Sequence, residues 1–177
     1  MINGLLSLTL LQRIWLLDMA NKDYDNMGPW SQQQEKFGKW IIKKIGKYQT
    51  AVYELTNGRL WNKFLGVHCA ILTTTGKKTG LPRKTPLLYI EQGKDVVMVA
   101  SQGGFSTEPF WYKNILNNPE VQVQIGSNKR TMIARLATDE EKEQLWPKLD
   151  ALYEGYKEYR ARTRGIRVIP IVIFSEK

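Results

Sequence analysis

Short connections constrain this chain more than any other feature of it. Three turn-like stretches, Gly76 to Gly80, Gln92-Gly93-Lys94 and Gly126-Ser127-Asn128-Lys129, separate runs rich in apolar and β-branched residues. Connections this short join antiparallel neighbours, because a parallel crossover needs about a dozen residues or more. The pattern predicts strands near residues 69–75, 84–91 and 95–101, a short helix near 109–117, and strands near 120–125 and 130–137. Helices follow from 139 to about 162, with a last strand near 168–174. Six mostly antiparallel strands with inserted helices place the body in the α+β class, as a small barrel or curled sheet.

The helical segments carry readable ends. Thr138-Asp139-Glu140-Glu141 is a capping box, with acidic residues against the positive end of the helix dipole. Pro147 lies too deep for that start, which predicts a kink or a second helix beginning there. Beyond it Tyr153, Tyr156 and Tyr159 recur every third residue and drift along one side of a helix. Three phenols so placed either line an aromatic pocket, where one can donate a proton, or pack on the sheet with their hydroxyls at its edge.

Upstream, residues 4 to 20 are rich in leucine, but Arg13 interrupts the run and Asp18 closes it. This is short of the ~20 apolar residues that span a bilayer. No Lys or Arg precedes the run and no small-residue cleavage site follows it, so a signal peptide fits poorly. A helix docked on the body or on a surface is expected instead. Next, Phe37, Ile41, Ile45 and Tyr48 recur at helical spacing, with Lys36, Lys39, Lys43 and Lys47 on another side. Two accounts suit such a basic amphipathic helix: a packed helix with a wet charged face, or a helix lying on an anionic membrane with Trp40 at the interface. The expected organisation is a helical extension over residues 1–66 and a body over 67–177.

At 177 residues the chain suits one domain with an appendage. Its formal net charge of +9 points to an anionic partner: a phosphorylated cofactor, an acidic lipid surface or nucleic acid. Nucleic acid fits least, since the basic residues cluster at a hairpin tip and on one helix outside any recognised module. The lone Cys69 excludes an internal disulfide and a cysteine-based zinc cage, and His68 is the sole histidine. A metal-free cytoplasmic protein is expected.

Two stretches could bind a ligand, the first of them an anion. Gly76 to Gly80 presents backbone N–H groups beside Lys77, Lys78 and Arg83, although a solvated turn is the plainer reading of such a tip alone. It is not a nucleotide-binding P-loop, because three residues rather than four separate its glycines and Leu81, not Lys, follows. The second stretch, Ser101-Gln102-Gly103-Gly104, leaves a strand where glycines allow a ligand close to the backbone; Pro109 then fits the first turn of a helix.

Taken together, Thr73-Thr74-Thr75-Gly76-Lys77-Lys78-Thr79-Gly80-Leu81-Pro82-Arg83 with Pro86, Ala100-Ser101-Gln102-Gly103-Gly104, and Pro109-Phe110-Trp111-Tyr112-Lys113-Asn114 running to Gln124 resemble the deazaflavin-dependent nitroreductases. These are split β-barrel oxidoreductases that use coenzyme F420. The resemblance covers about residues 67 to 174 and implies a reductase that passes a hydride from reduced deazaflavin to a lipophilic, electron-poor acceptor: a quinone, a nitroaromatic, or an unsaturated lactone or ketone. It implies that Lys77, Lys78 and Arg83 meet the cofactor's phosphate and acidic tail. Pro86, Leu88, Ala100, Ser101, Gly103, Gly104 and Trp111 match positions around its ring and linker, and Gln102 matches a position that contacts the phosphate, a contact left neutral here. Relatives often carry Lys where this chain has Gln102. Tyr153, Tyr156 and Tyr159 match the substrate side, with Tyr156 and Ser101 as catalytic candidates. FMN in place of F420, or a carrier that binds deazaflavin, haem or lipid without turnover, are the competing readings. Monomer and homodimer both occur under the resemblance, and peripheral contact of the N-terminal helices with the inner face of the membrane is a further expectation.

Overall fold

The structure is a computed structural model that describes residues 23–64 and 66–177, so the docking helix expected over residues 4 to 20 lies outside the described residues. Six strands form a closed barrel: β2 (Val67–Thr75), β3 (Pro82–Gln92), β4 (Asp95–Val99), β5 (Glu120–Ile125), β6 (Asn128–Leu136) and β7 (Ile171–Glu176). They run in the order β2-β3-β4-β7-β6-β5, and β5 returns to β2 through Ile71↔Gln124, Leu72↔Val123 and Thr73↔Gln122. A two-residue strand, β1 (Lys63–Phe64), adds to β2. Every pairing is antiparallel, as the short turns require.

Two packed layers explain the most apolar strands. Along β4, Val96 and Met98 point into the barrel while Val97 and Val99 point outward, and all four are buried. The inner layer joins Ala70, Leu72, Val123, Val172 and Phe174 to Trp111, Tyr112 and Ile115 of α2 (Phe110–Ile115), which plugs the barrel. Outside, Leu145 and Leu149 of α3 (Asp139–Leu152) pack with Tyr153, Tyr156, Ile171 and Ile173. A strand sandwiched between layers reads as a continuous apolar run rather than an alternation.

The capping box forms as expected: the Thr138 hydroxyl accepts from Glu141 N and the Glu141 carboxylate accepts from Thr138 N. Pro147 neither ends α3 nor begins a new helix. The break comes later, at the extended Tyr153 (φ −148°, ψ 101°), and α4 runs over Gly155–Thr163. Gly155 permits this turn, since a Cβ there would lie 2.4 Å from the Tyr153 ring, folded back over it.

The basic amphipathic helix is present as α1 (Gln32–Leu55), capped by Ser31, but it does not pack by its apolar stripe. Phe37 is 64% and Tyr48 60% exposed, whereas Glu35, Gln49, Thr50 and Tyr53 are buried. The physical reason is close approach. Gly38 faces Phe105 and Gly46 faces Pro86, so the smallest residues of the helix mark its contact side. Polar groups on that side find partners: Gln49 donates to Trp61 O (3.1 Å), and the Tyr53 hydroxyl accepts from Gly126 N (2.8 Å).

Candidate active site

Beyond β4 the backbone turns sharply. Gln102, Gly103 and Gly104 are all left-handed, with φ of 49°, 68° and 72°. That region costs any residue with a Cβ, so Gln102 is strained. Several groups hold the turn. The Arg167 guanidinium donates to Phe105 O (2.9 Å), Ala100 O (3.2 Å) and Ser101 O (2.6 Å). Trp30 Nε1 donates to Gly103 O (3.0 Å), and the buried Glu35 carboxylate accepts from Ser106 N and Ser106 Oγ. Tyr159 closes the remaining side, its Cα 2.9 Å from where a Cβ on Gly104 would sit. In a trans peptide the N–H points opposite to the carbonyl, so the N–H groups of Ser101 and Gln102 face away from Arg167. Among the described residues, the Gln102 Oε1 is buried without a hydrogen-bond partner. A turn whose Ser101 and Gln102 N–H groups face away from its clamp and which holds one orphaned acceptor fits a polar ligand.

The hairpin tip is built for charge. Gly76 N donates to Leu81 O (2.8 Å) and Gly80 N to Gly76 O (2.8 Å), closing the loop on itself. Asn114 of α2, itself buried, accepts from Lys77 N (3.0 Å) and donates to Thr74 Oγ1 (2.9 Å), which fixes the tip to the barrel. Lys77, Lys78 and Arg83 are exposed, and none of them enters an ion pair among the described residues. Among the described residues, Arg83 donates only to Thr79 Oγ1 (3.3 Å). Lys84, by contrast, is engaged by Glu54 at 2.7 Å. Uncompensated cations at one tip attract an anion through charge-assisted bonds.

Between these parts lies the outer face of β3. Leu87 and Tyr89 turn to the barrel interior, whereas Leu88 and Ile90 turn outward to the layer containing the tyrosines. Pro86 shares the outward face by its spacing of two from Leu88 and lies under Gly46 of α1. The tyrosines form one cluster: ring centroids are 5.3 Å apart for Tyr153 and Tyr156, and 6.2 Å for Tyr156 and Tyr159. The Tyr153 and Tyr159 hydroxyls meet at 3.0 Å. Burial pushes the pKa of both Tyr156 and Tyr159 well above the ordinary phenol value, with the neighbouring Tyr153 adding to it. Both stay neutral and can act only as hydrogen-bonding phenols at ordinary pH.

The fold thus gathers Ser101, Gln102, Gly103 and Gly104 beside Tyr159, next to Tyr153, Tyr156 and Leu88 on the same outer layer. It does not bring the Ala100 and Trp111 side chains there; both are buried among the barrel's interior residues. A cavity of about 920 Å³ is lined by Val67, Trp146, Pro147 and Leu152, and of these site residues it touches Tyr153 alone. Glu143, Asp150 and Glu154 also line it, the wrong sign for an acidic ligand. Sequence reasoning missed Arg167, Trp30, Glu35 and Asn114 as supports. Asn114 stands within a motif already singled out. Arg167 has no such signal, being one of several arginines before the last strand.

A closed six-stranded antiparallel barrel of this kind is shared with F420-dependent reductases of known structure. Among solved structures, an F420-H2 dependent reductase (FDR-A) is 38% identical, with a TM-score of 0.55, over 60% of this chain and 93% of that one. A structure described as a domain-swapped dimer is 36% identical, with a TM-score of 0.56, over 71% of this chain and 98% of that one. A family model for F420H(2)-dependent quinone reductase matches residues 45–176, and the chain belongs to that family. The F420H(2)-dependent quinone reductase Rv1261c of Mycobacterium tuberculosis (strain ATCC 25618 / H37Rv) is 31% identical over 147 residues, 78% of this chain and 97% of that protein. The chain is therefore an oxidoreductase whose family uses reduced coenzyme F420.

Proposed function

We propose that this protein reduces lipophilic, electron-poor acceptors, quinones foremost, with nitroaromatics and unsaturated lactones or ketones as further candidates. The observation that carries the reading is the clamped left-handed turn, Ser101 to Gly104, set against a cluster of neutral tyrosines. When bound, the reduced cofactor supplies a hydride from its deazaflavin C5 carbon. Lys77, Lys78 and Arg83 hold its phosphate and acidic tail by charge. The turn's N–H groups serve the ring and linker, Gln102 stands beside the phosphate, and Pro86 and Leu88 supply apolar surface. Tyr156 donates a hydrogen bond to the acceptor oxygen as negative charge grows there, and the Ser101 hydroxyl assists. On this reading residues 67–177 form the cofactor domain and residues 1–66 the extension over it.

The test is spectroscopic titration of the full chain with oxidised F420, and in parallel with FMN, followed by an acceptor panel with the reduced cofactor. Lys77→Ala and Arg83→Ala should weaken F420 binding, most at low salt. Affinity indifferent to both substitutions would remove the tail site. Tighter FMN than F420 binding would change the cofactor.

Peripheral membrane contact is a second reading, favoured by α1. Phe37, Trp40, Ile45, Tyr48 and Leu55 are exposed on it, and Lys36, Lys43 and Lys47 lie exposed along the same helix. No helix among the described residues is long and apolar enough to cross a membrane, so contact through α1 would lie at a membrane surface rather than across it. Flotation with phosphatidylglycerol vesicles should retain the full chain and lose the Phe37→Ser/Trp40→Ser variant. A wild-type protein that stays at the bottom of the gradient ends this reading. The domain-swapped neighbour favours a homodimer, which sedimentation equilibrium would test.

A further inference from the structure

We propose that Arg167 is a positioning residue for the reaction: it touches neither cofactor nor acceptor, and sets the Ser101–Gly104 turn in its binding conformation. The inference rests on the cofactor reading above. A guanidinium is a planar fork with five donors. Here Nε, Nη1 and Nη2 each reach a different backbone carbonyl, those of Phe105, Ala100 and Ser101. These carbonyls bracket the turn on both sides, so a single rigid group fixes its entry and its exit. Its own place is fixed by the loop after α4, where Ile166 N and Arg167 N both donate to Thr163 O (2.9 and 3.1 Å).

The turn needs such a clamp. Three successive left-handed residues, one of them with a Cβ, are not a conformation the chain holds by itself. Rotating the Ala100 and Ser101 carbonyls toward Arg167 forces the N–H groups of Ser101 and Gln102 to the other side. Without the fork the Ala100 carbonyl loses its guanidinium partner and the Ser101 carbonyl keeps only Gly104 N (3.0 Å) among the described residues, so the Ser101 and Gln102 donors are held less firmly in one ligand geometry. Lysine cannot replace it, because one ammonium lacks the planar spread that meets three carbonyls at once.

The experiment compares Arg167→Lys, Arg167→Gln and wild-type full-length protein. Three quantities are read: F420 affinity by fluorescence, kcat and acceptor KM with reduced F420, and hydrogen exchange over residues 100–106 without ligand. Both variants should show faster exchange in that segment. They should also lose about tenfold to a hundredfold in kcat, the scale on which misalignment by a remote residue acts, with a smaller change in acceptor KM. Added guanidinium ion should restore part of the kcat loss in a further variant, Arg167→Ala, while the split between kcat and acceptor KM separates positioning from a general loss of folded protein. Wild-type kcat and affinity per folded molecule in Arg167→Lys overturn the proposal, even if exchange rises or melting falls. Unchanged exchange in the variants overturns the clamp itself. If Arg167→Gln does not fold, Arg167→Lys, which keeps the stem and the charge, decides. A wild-type protein that fails to bind F420 sinks the cofactor reading and the positioning role with it, while the exchange measurement still reports on the clamp.

Discussion

Replacing Gly104 by alanine tests whether the turn is held as tightly as its geometry implies. Two costs add. An alanine at φ 72° enters the left-handed region, at roughly 1–2 kcal/mol. Its Cβ would then lie 2.9 Å from Tyr159 Cα and 3.1 Å from Tyr159 Cδ1, and the first of these is backbone that yields only if α4 shifts. Overpacking of that kind costs about 1–3 kcal/mol. The sum, roughly 2–5 kcal/mol, corresponds to a fall in Tm of about 5–20 °C at this chain length. Gly80 supplies the control, since its φ is 67° but a Cβ there meets nothing within 4 Å. Gly80→Ala should therefore lose only the backbone part, roughly 1–2 kcal/mol. Thermal and urea unfolding of both variants give the comparison, and F420 titration shows whether the displaced turn also loses affinity. Equal destabilisation by the two substitutions would refute the packing argument, because the left-handed backbone is common to both.

Four further outcomes are expected. Tyr156→Phe should lower kcat with F420H2 by about tenfold to a hundredfold, the low end of acid–base effects, because burial raises the phenol's pKa and makes it a weak acid; cofactor affinity should hold, and unchanged turnover would remove Tyr156 from the mechanism. Wild-type turnover should likewise show no alkaline limb from this group below the ordinary phenol range, read from a pH–rate profile. Gln102→Lys restores the charge that relatives often carry, so F420 should bind severalfold more tightly with a steeper salt dependence; identical titrations at low and high salt would place residue 102 away from the phosphate. Glu35→Gln addresses acid stability: burial works against the charged carboxylate, but its bonds to Lys39 and Ser106 outweigh that and hold its pKa below the usual 4.5. A depressed folded pKa gives stability that is present above the unfolded value and lost as pH falls through the folded one, so Glu35→Gln should lose stability at neutral pH and show a shallower decline below pH 4.5. Parallel acid denaturation curves for the two proteins would contradict this.

The barrel was legible because its determinants are local. Gly93 and Gly126, each beside a strand run, fix two hairpins, and the run from Val96 to Val99 announces a strand buried on both faces. The capping box at Thr138 was equally readable. The packing side of α1 was not, since periodicity locates an apolar stripe without saying what meets it. There the two glycines, Gly38 and Gly46, decided the contact by allowing close approach to Phe105 and Pro86. The helix break was misplaced because proline was the visible punctuation, whereas the deciding contact is the Tyr153 ring over Gly155, a tertiary fact. In the site, charge and glycine marked the ligand-facing parts, Lys77, Lys78, Arg83 and Gly103-Gly104. Arg167 and Trp30 act on carbonyls more than sixty residues away in sequence, and no spacing rule connects such partners.

The clamps also bear on which parts of the chain the site needs. The family match begins at residue 45, yet two of the groups holding the turn, Trp30 and Glu35, precede it. The other holding groups, Tyr159 and Arg167, come from the last third of the chain. Arg162 connects the two sides: its guanidinium lies 3.5 Å over the Trp30 ring, bonds to Glu158 at 2.8 Å, and donates to Gly28 O. The segment leading into α1 and the helix carrying Tyr156 and Tyr159 are thus joined beside the turn they both support. Since a buried polar contact costs most when only one partner is removed, sequence change at residue 30 or 35 should be felt at Gly103 and Ser106. The barrel supplies the hairpin cations and the apolar face of β3, while the geometry of the turn depends on groups contributed from both sides of it.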